Sequence, residues 1–344
     1  MFEDSLLNIA FAIVRTGAFV ANAFLLGLPV VLLMVVRPLL RQGPGELPTR
    51  ARRQFGERLE GLVQASLWAS AIGSLIAIVL QGIVFADLGG GRFGGDSIMD
   101  VLDSSFGKWY LLRLPVLAAL GILLVGKVRR LSLNDDVSPR PGPMWWYTWI
   151  ALAVGLVATS SFSGHASVSS PLGLALLNDI VHLVSGSVWF GGVVVLAVAV
   201  PDVRRSLDPV QRTLFLAPLV VRFSSVALVA IGLSAVTGTF NSLFNLETPS
   251  DLVDTGYGGL LAAKILVFLG VIALGAINHF FVRRRLQQAA EKRSPDTINR
   301  VFKRTIAAEL VMALLIFGMT GVLVGSTRPR PSAASPTVGI SERV

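Results

Sequence analysis

A carboxylate and an imidazole one helical turn apart are the residues of this sequence that could most clearly take part in chemistry. Asp179 and His182 lie three residues apart in an otherwise apolar stretch, and Gly186 and Trp189 continue the same helical face. A carboxylate so placed can orient the imidazole ring, fix its tautomer or share a metal ion with it. A buried Asp–His hydrogen bond that only joins two helices has the same spacing, and spacing alone leaves both interpretations open.

A second histidine precedes this stretch by one short loop. His165 follows the polar run Thr159–Ser163, so we expect it at the depth where the helix carrying Asp179 begins. His165 and His182 are therefore predicted to converge, with Asp179 as a third group. Imidazole nitrogen suits copper, zinc, iron and nickel, and the chain has no cysteine that could supply a thiolate. A solvent-exposed loop histidine is the alternative interpretation of His165.

Other ionisable side chains also interrupt apolar stretches, where charge is costly and marks candidate functional positions. Besides Asp179, these residues are Arg15, Arg113, Lys264 and Glu309. Arg113 and Lys264 either join the site or extend towards the membrane surface. Glu309 is expected to pair with a basic residue or with His279, or to act as a relay near the opposite face. Met319 is a possible soft ligand, although a single methionine on an apolar helix is usually a packing residue.

The elements that position these residues are membrane-spanning helices. Of 344 residues, 53% are apolar and 15% are charged, and mean hydropathy is +0.69, whereas soluble domains have about 25% charged residues. A soluble enzyme and a disordered chain are both disfavoured. The sequence contains no Walker A and no HExxH motif, so neither ATP-driven transport nor zincin chemistry has support, and no enzymatic activity is predicted. Eight stretches are long enough to cross a bilayer, at about 8–36, 62–85, 109–127, 145–163, 174–200, 219–243, 258–282 and 303–325.

The basic residues predict how these spans are oriented. The loops after spans 1, 3, 5 and 7 hold 22 of the 30 Lys and Arg residues. Basic loops remain in the cytoplasm, so both termini are predicted to be extracytoplasmic. The net charge of +9 is then a topology signal and not a nucleic-acid surface. The lipid bilayer is the expected immediate partner.

A motif repeated at an offset of 151 residues predicts two similar halves. Asp103–Gly107 with Arg113, and Asp254–Gly258 with Lys264, both fit D-x-x-[FY]-G-x5-[RK]. Four spans separate the two copies, so the halves share one orientation, as in parallel repeats. We predict an all-α integral membrane protein with one domain, 1–327, built from half-repeats 1–163 and 164–327. The tail, 328–344, is predicted to be disordered.

A set of short motifs resembles the CopD family of copper-resistance membrane proteins, closely over spans 4–8 and loosely over spans 1–3. These motifs are Gly164-His165-Ala166, Asp179-x-x-His182, Val188-Trp189-Phe190-Gly191-Gly192, Arg222-Phe223-Ser224, Thr237-Gly238, Tyr257-Gly258 followed by Lys264, and Glu309. The resemblance implies an eight-helix protein that moves copper across the cytoplasmic membrane, usually as uptake. It also implies a CopC-type periplasmic copper-binding partner, here a separate chain. His165, His182 and Asp179 then become candidate copper ligands.

Two other functions fit the same residues. One is a haem-binding or electron-transfer membrane protein in which two histidines ligate one iron. The other is an assembly factor for copper enzymes. The sequence does not specify the direction of transport, the choice between Cu(I) and Cu(II), the driving force or the oligomeric state.

Overall fold

A computed structural model describes residues 2–42, 49–90, 92–125, 127–128, 142–164, 171–246, 248–294 and 299–326. These residues fold as helices joined by short turns, with no strand among them. The predicted all-α class is therefore confirmed for this part of the chain. His165 and the tail predicted to be disordered, 328–344, lie outside the described residues.

The α-helices are numbered in chain order. They are α1 (Phe2–Val31), α2 (Arg37–Gln42), α3 (Thr49–Leu88), α4 (Gly95–Asp103), α5 (Ser105–Leu124), α6 (Pro143–Phe162), α7 (Leu172–Ser206), α8 (Pro209–Asn245), α9 (Asp251–Asp254), α10 (Gly256–Ile277), α11 (Arg283–Glu291) and α12 (Asn299–Leu323). Two π-helical segments, Leu32–Val36 and Asn278–Val282, connect α1 to α2 and α10 to α11. We call the end of the bundle where α1, α5, α7 and α10 begin the upper end, and the opposite one the lower end.

Seven helical segments of the described chain are long and apolar enough to cross a membrane. They are Leu6–Leu39, Arg53–Leu88, Ser105–Leu124, Leu172–Val198, Pro209–Asn245, Gly256–Glu291 and Val301–Leu323. These match seven of the eight predicted spans and make the chain a multi-pass membrane protein. Helix α6 occupies the place of the predicted fourth span but is not among these seven segments. Its hydropathy is lowered by the polar atoms of Trp145, Trp146, Tyr147 and Trp149 and by the hydroxyls of Thr159–Ser161. An eighth span and the placement of the termini remain predictions.

Helix α6 nevertheless packs inside the bundle. It contacts α1, α5 and α7, and Trp149 is fully buried. The indole Nε1 of Trp149 donates a hydrogen bond to the carbonyl oxygen of Leu25 on α1, at 3.0 Å. The aromatic residues that lower the hydropathy of α6 therefore serve helix packing, because an indole is largely apolar and its single N–H is satisfied here.

Helices α1 and α7 form the central pair of the bundle and touch at two glycines. A Cβ atom on Gly27 would lie 2.9 Å from Gly191 Cα, and one on Gly191 would lie 2.7 Å from Gly27 Cα. Close backbone approach of this kind is the usual role of small residues between membrane helices. Other long helices pack against this pair: α3, α6 and α12 contact both α1 and α7, and α8 packs along α7.

The two copies of the D-x-x-[FY]-G motif adopt the same local structure. Ser104 Oγ accepts a hydrogen bond from the Gly107 amide at 3.1 Å, and Thr255 Oγ1 accepts one from the Gly258 amide at 2.9 Å. Each hydroxyl is the N-cap of a long helix, α5 or α10, that directly follows a short one. This local match supports the two half-repeats, 1–163 and 164–327, whose superposition as whole units remains a prediction.

Candidate functional site: a polar cavity along α7

A cavity of about 420 Å³ lies among α1, α6, α7, α8, α10 and α12. Its polar lining includes Asp179 and His182 of α7, Asn241 of α8 and Lys264 of α10. We call it the α7 cavity. It brings together three of the side chains that the sequence marked as costly in a membrane, namely Asp179, His182 and Lys264.

The imidazole of His182 is held by α8. Its Nδ1 atom lies 3.1 Å from the carbonyl oxygen of Ser234 and 3.1 Å from Thr237 Oγ1. A carbonyl oxygen only accepts hydrogen bonds, so this contact assigns the proton to Nδ1. The lone pair then lies on Nε2, which is the arrangement of a metal-binding histidine whose other nitrogen is fixed by the protein. Gly238 permits this packing, since a Cβ there would lie 3.1 Å from His182 Cε1.

The carboxylate of Asp179 accepts hydrogen bonds from two neutral donors on two other helices. Ser161 Oγ of α6 donates to Oδ2 at 2.7 Å, and Asn241 Nδ2 of α8 donates to Oδ1 at 3.0 Å. Asn241 is itself fixed, because its Oδ1 accepts from Asn178 Nδ2 at 2.7 Å. Lys264 interacts electrostatically with Asp179, without a direct ion-pair contact in the described structure. Asp179 therefore keeps lone pairs with which it can bind a cation, and Lys264 is its nearby counter-charge.

The structure separates the two roles that the sequence offered for Asp179. No hydrogen bond joins Asp179 to His182 within the described residues, and the ring is oriented by Ser234 and Thr237 instead. A role for Asp179 as a ligand is compatible with this geometry. No three His, Cys, Asp or Glu side chains of the described chain converge as a metal site. The predicted third group, His165, lies outside the described residues, so the ligand set His165, His182 and Asp179 remains a prediction.

Arg113, which the repeated motif pairs with Lys264, lies in a closed pocket and not in the α7 cavity. Its Nε donates to Thr159 Oγ1 at 2.7 Å, and its Nη2 donates to the hydroxyls of Ser160 and Ser163, each at 3.3 Å. The guanidinium also lies 3.8 Å from the centre of the Tyr110 ring, a favourable cation–π distance. Arg15 interacts with the same Tyr110 side chain and lies over the ring of Phe11 at 4.7 Å.

A second polar cluster lies towards the lower end of the bundle. Glu309 Oε1 accepts a hydrogen bond from Asn278 Nδ2 at 2.6 Å, and Asn278 Oδ1 accepts one from Thr305 Oγ1 at 2.7 Å. His279 Nδ1 lies 2.7 Å from Ser224 Oγ. Sequence reasoning expected a basic residue or His279 beside Glu309, whereas the structure places Asn278 there. Neither this cluster nor Met319 lines the α7 cavity.

Sequence reasoning missed Asn22 and Ser234 as site residues. Asn22 is an amide within the apolar middle of α1, and it lines the cavity. Ser234 stands three residues before Thr237 and seven before Asn241, on one face of α8. That face was a readable signal, but the contact of Ser234 uses its backbone carbonyl, whose position no side-chain pattern indicates.

Comparison with known proteins gives two family matches. Residues 217–323 match the family described as Copper resistance protein D, and residues 4–174 match Copper resistance protein D-like, N-terminal domain. No solved structure matches the chain.

Two relatives carry related names. "Copper transport protein CutJ" of Bacillus subtilis (strain 168) is 25% identical over 287 residues, which are 82% of this chain and 48% of that protein. "Copper resistance protein D" of Pseudomonas syringae pv. tomato is 26% identical over 240 residues, which are 68% of this chain and 72% of that protein. The chain thus spans about half the length of the Bacillus relative. The two family matches cover most of the sequence and confirm the family that its motifs predicted: this chain belongs to the copper resistance protein D family.

Proposed function

We propose that this protein carries copper inward across the bacterial cytoplasmic membrane, through the α7 cavity, and so contributes to copper homeostasis or resistance. The observation that carries this proposal is the His182 ring. Ser234 holds the Nδ1 proton, which leaves Nε2 as a ligand inside a cavity of about 420 Å³. The names of the matched families and relatives point to copper transport and resistance and not to catalysis.

The proposed ligand set is His182, Asp179 and His165. Imidazole nitrogen and carboxylate oxygen both bind copper, and Asp179 is already oriented by Ser161 and Asn241. Gly164 lines the cavity, and His165 follows it directly in the sequence. Three protein groups bind a metal while leaving a position for exchange, which transport requires.

The orientation of the protein in the membrane follows from the charge pattern. The lower end receives the loops with 22 of the 30 basic residues, so we place the lower end in the cytoplasm and the upper end outside. The α7 cavity then lies on the outer side, where a separate CopC-type periplasmic protein would deliver copper.

The described histidines argue against a haem ligated by His182 and His279. Their partners on α8, Ser234 and Ser224, stand ten residues apart, which is about 15 Å along a helix. A bis-histidine iron would therefore have to use His165 with His182. This arrangement predicts an intense Soret band in the purified protein, and a copper site alone does not.

The decisive test is copper bound to the purified protein and copper accumulated by cells. We expect the wild type to bind copper, His182→Ala to lose it, and His279→Ala to retain it as a matched control at the lower end. Wild-type copper in His182→Ala, or a Soret band in the purified wild type, would contradict the proposal.

A further inference from the structure

The α7 cavity contains polar groups that a bare copper ion does not satisfy. Asp179 and His182 suit a cation. Lys264, Asn22 and Trp189 line the same cavity, and they present hydrogen-bond donors, which a cation repels.

Two of these donors are buried without a partner among the described residues. Asn22 is 3% exposed and Trp189 is 5% exposed. Asn22 Nδ2 and Trp189 Nε1 make no hydrogen bond in this part of the chain, although Asn22 Oδ1 accepts one from Ser70 Oγ at 2.7 Å. Buried donors are normally paired, and leaving them unpaired is costly. The occupant of this cavity should therefore bring acceptor atoms.

Lys264 adds an electrostatic reason. Its ammonium already compensates part of the negative charge of Asp179. A copper cation bound beside Asp179 would leave net positive charge in an apolar bundle, where uncompensated charge is expensive. An anion that enters with the metal removes this excess.

The size of the cavity leaves room for such a companion. His182 and Trp189 stand seven residues apart on α7, which is about 10 Å along the helix axis. The volume of about 420 Å³ falls within the range of cavities that hold small organic ligands, about 300–1,000 Å³. A copper ion at His182 fills only one end of this space.

We propose that the α7 cavity takes copper as a complex with small amino-acid-type chelators, not as a bare ion. His182 Nε2 binds the metal, and Lys264, Asn22 and Trp189 bind the carboxylate oxygens of the chelators. In this complex the amine nitrogen and carboxylate oxygen of the chelators take the place of Asp179 and His165 as ligands. Together with His182 they form the nitrogen and oxygen ligand set that copper(II) prefers. The described lining contains no Met or Cys. No bond to the chelator is made or broken, and no electron is transferred. The inference rests on the proposed function of the same site.

The test uses the purified full chain in liposomes with two labels. Copper(II) bis-glycinate carries ⁶⁴Cu and ¹⁴C-glycine, and uptake is compared with that of ⁶⁴Cu in a non-coordinating buffer. We expect both labels to accumulate in a constant ratio, and copper to enter at least several-fold faster as the complex. Glycine without copper should not enter.

Two variants test the donors. Trp189→Phe removes the indole N–H and keeps an aromatic ring, and we expect uptake of the complex to fall about 10–100-fold, as for one lost hydrogen bond to a charged group. Trp146→Phe is the matched control, because Trp146 Nε1 is also buried without a partner in the described chain but does not line the cavity. Thermal unfolding of both variants reports whether they fold.

The possible outcomes separate the two proposals. If ⁶⁴Cu enters without ¹⁴C, or if Trp189→Phe transports the complex as well as Trp146→Phe, the chelate inference is wrong and the proposed copper transport stands. If glycine enters equally without copper, the chelate inference is also wrong. If no copper enters in either form, and His182→Ala binds as much copper as the wild type, the proposed function itself fails.

Discussion

Arg113 and Lys264 occupy the same position of a repeated motif, yet their surroundings differ. Each follows the motif glycine by six residues, on α5 or α10. Arg113 is 3% exposed and donates to three hydroxyls of α6 and its C-cap. Lys264 lines an open cavity and has Asp179 as its electrostatic partner. The Arg113 pocket is filled by protein, whereas the α7 cavity has room for a substrate.

The central helices explain the difference. Arg15 precedes Gly27 by twelve residues on α1, and Asp179 precedes Gly191 by the same number on α7. Counted from the Gly27–Gly191 contact, α1 therefore has a cation where α7 has a carboxylate. Ala18 stands where α7 has His182, and alanine cannot ligate a metal. In place of a metal site, the planar guanidinium of Arg113, with its five donors, matches a cluster of hydroxyls on α6 and its C-cap. We infer that the predicted second half carries the metal-binding side chains of the site, and that the predicted first half contributes Asn22 to its lining.

The largest expected effect tests whether the central pair is symmetric. Gly27→Ala and Gly191→Ala each force a Cβ into the backbone of the other helix, and we expect each to lower the free energy of unfolding by about 1–3 kcal/mol, or to prevent folding. Gly155→Ala on α6 is the control, because its Cβ would meet open space. Thermal unfolding in detergent measures the change. A large effect at only one of the two glycines would break the equivalence of α1 and α7.

Removing each motif cation should affect different properties of the protein. Arg113→Met leaves three hydroxyls without their donor and should destabilise the fold by about 1.5–3 kcal/mol, while the folded protein keeps its copper affinity. Lys264→Met leaves Asp179 without its counter-charge, so some loss of stability is expected here too. Unlike Arg113→Met, it should raise the affinity for simple copper salts, since it removes a positive charge beside the site. Unfolding temperature and copper titration measure the two effects. Equal effects of the two variants on copper affinity would contradict the contrast between pocket and cavity.

The smallest expected effect concerns the carboxylate. Asp179→Asn keeps the size of the side chain but removes the charge, and we expect copper affinity to fall about tenfold, at the low end for lost metal-site partners. Asp254→Asn is the control, because this carboxylate is exposed at the start of the same half-repeat motif and does not line the cavity. Copper titration of the purified variants is the measurement. Unchanged affinity in Asp179→Asn would remove Asp179 from the ligand set.

Much of the fold could be read from local sequence. Seven predicted spans recur as long apolar helices, because hydropathy depends only on nearby residues. The N-caps Ser104 and Thr255 are equally local, and the motif that contains them was visible without a structure. Helix α6 shows the limit of this signal. Tryptophan counts as polar in hydropathy, yet Trp145 and Trp149 donate hydrogen bonds to backbone carbonyls of α5 and α1.

The sequence by itself determined the family, the all-helical membrane class and the choice of Asp179, His182 and Lys264 as unusual residues, because each of these depends on residue type and spacing alone. Only the tertiary structure decided that Ser234 and not Asp179 orients His182, that Asp179 bonds Ser161, and that Arg113 is enclosed while Lys264 lines a cavity. These contacts join helices far apart in the chain. They depend on how closely the helices approach, as at Gly238 beside His182 and at Gly27 beside Gly191. A shift of one residue between α7 and α8 would turn the α8 partners by about 100° and would remove Ser234 from His182 and Asn241 from Asp179.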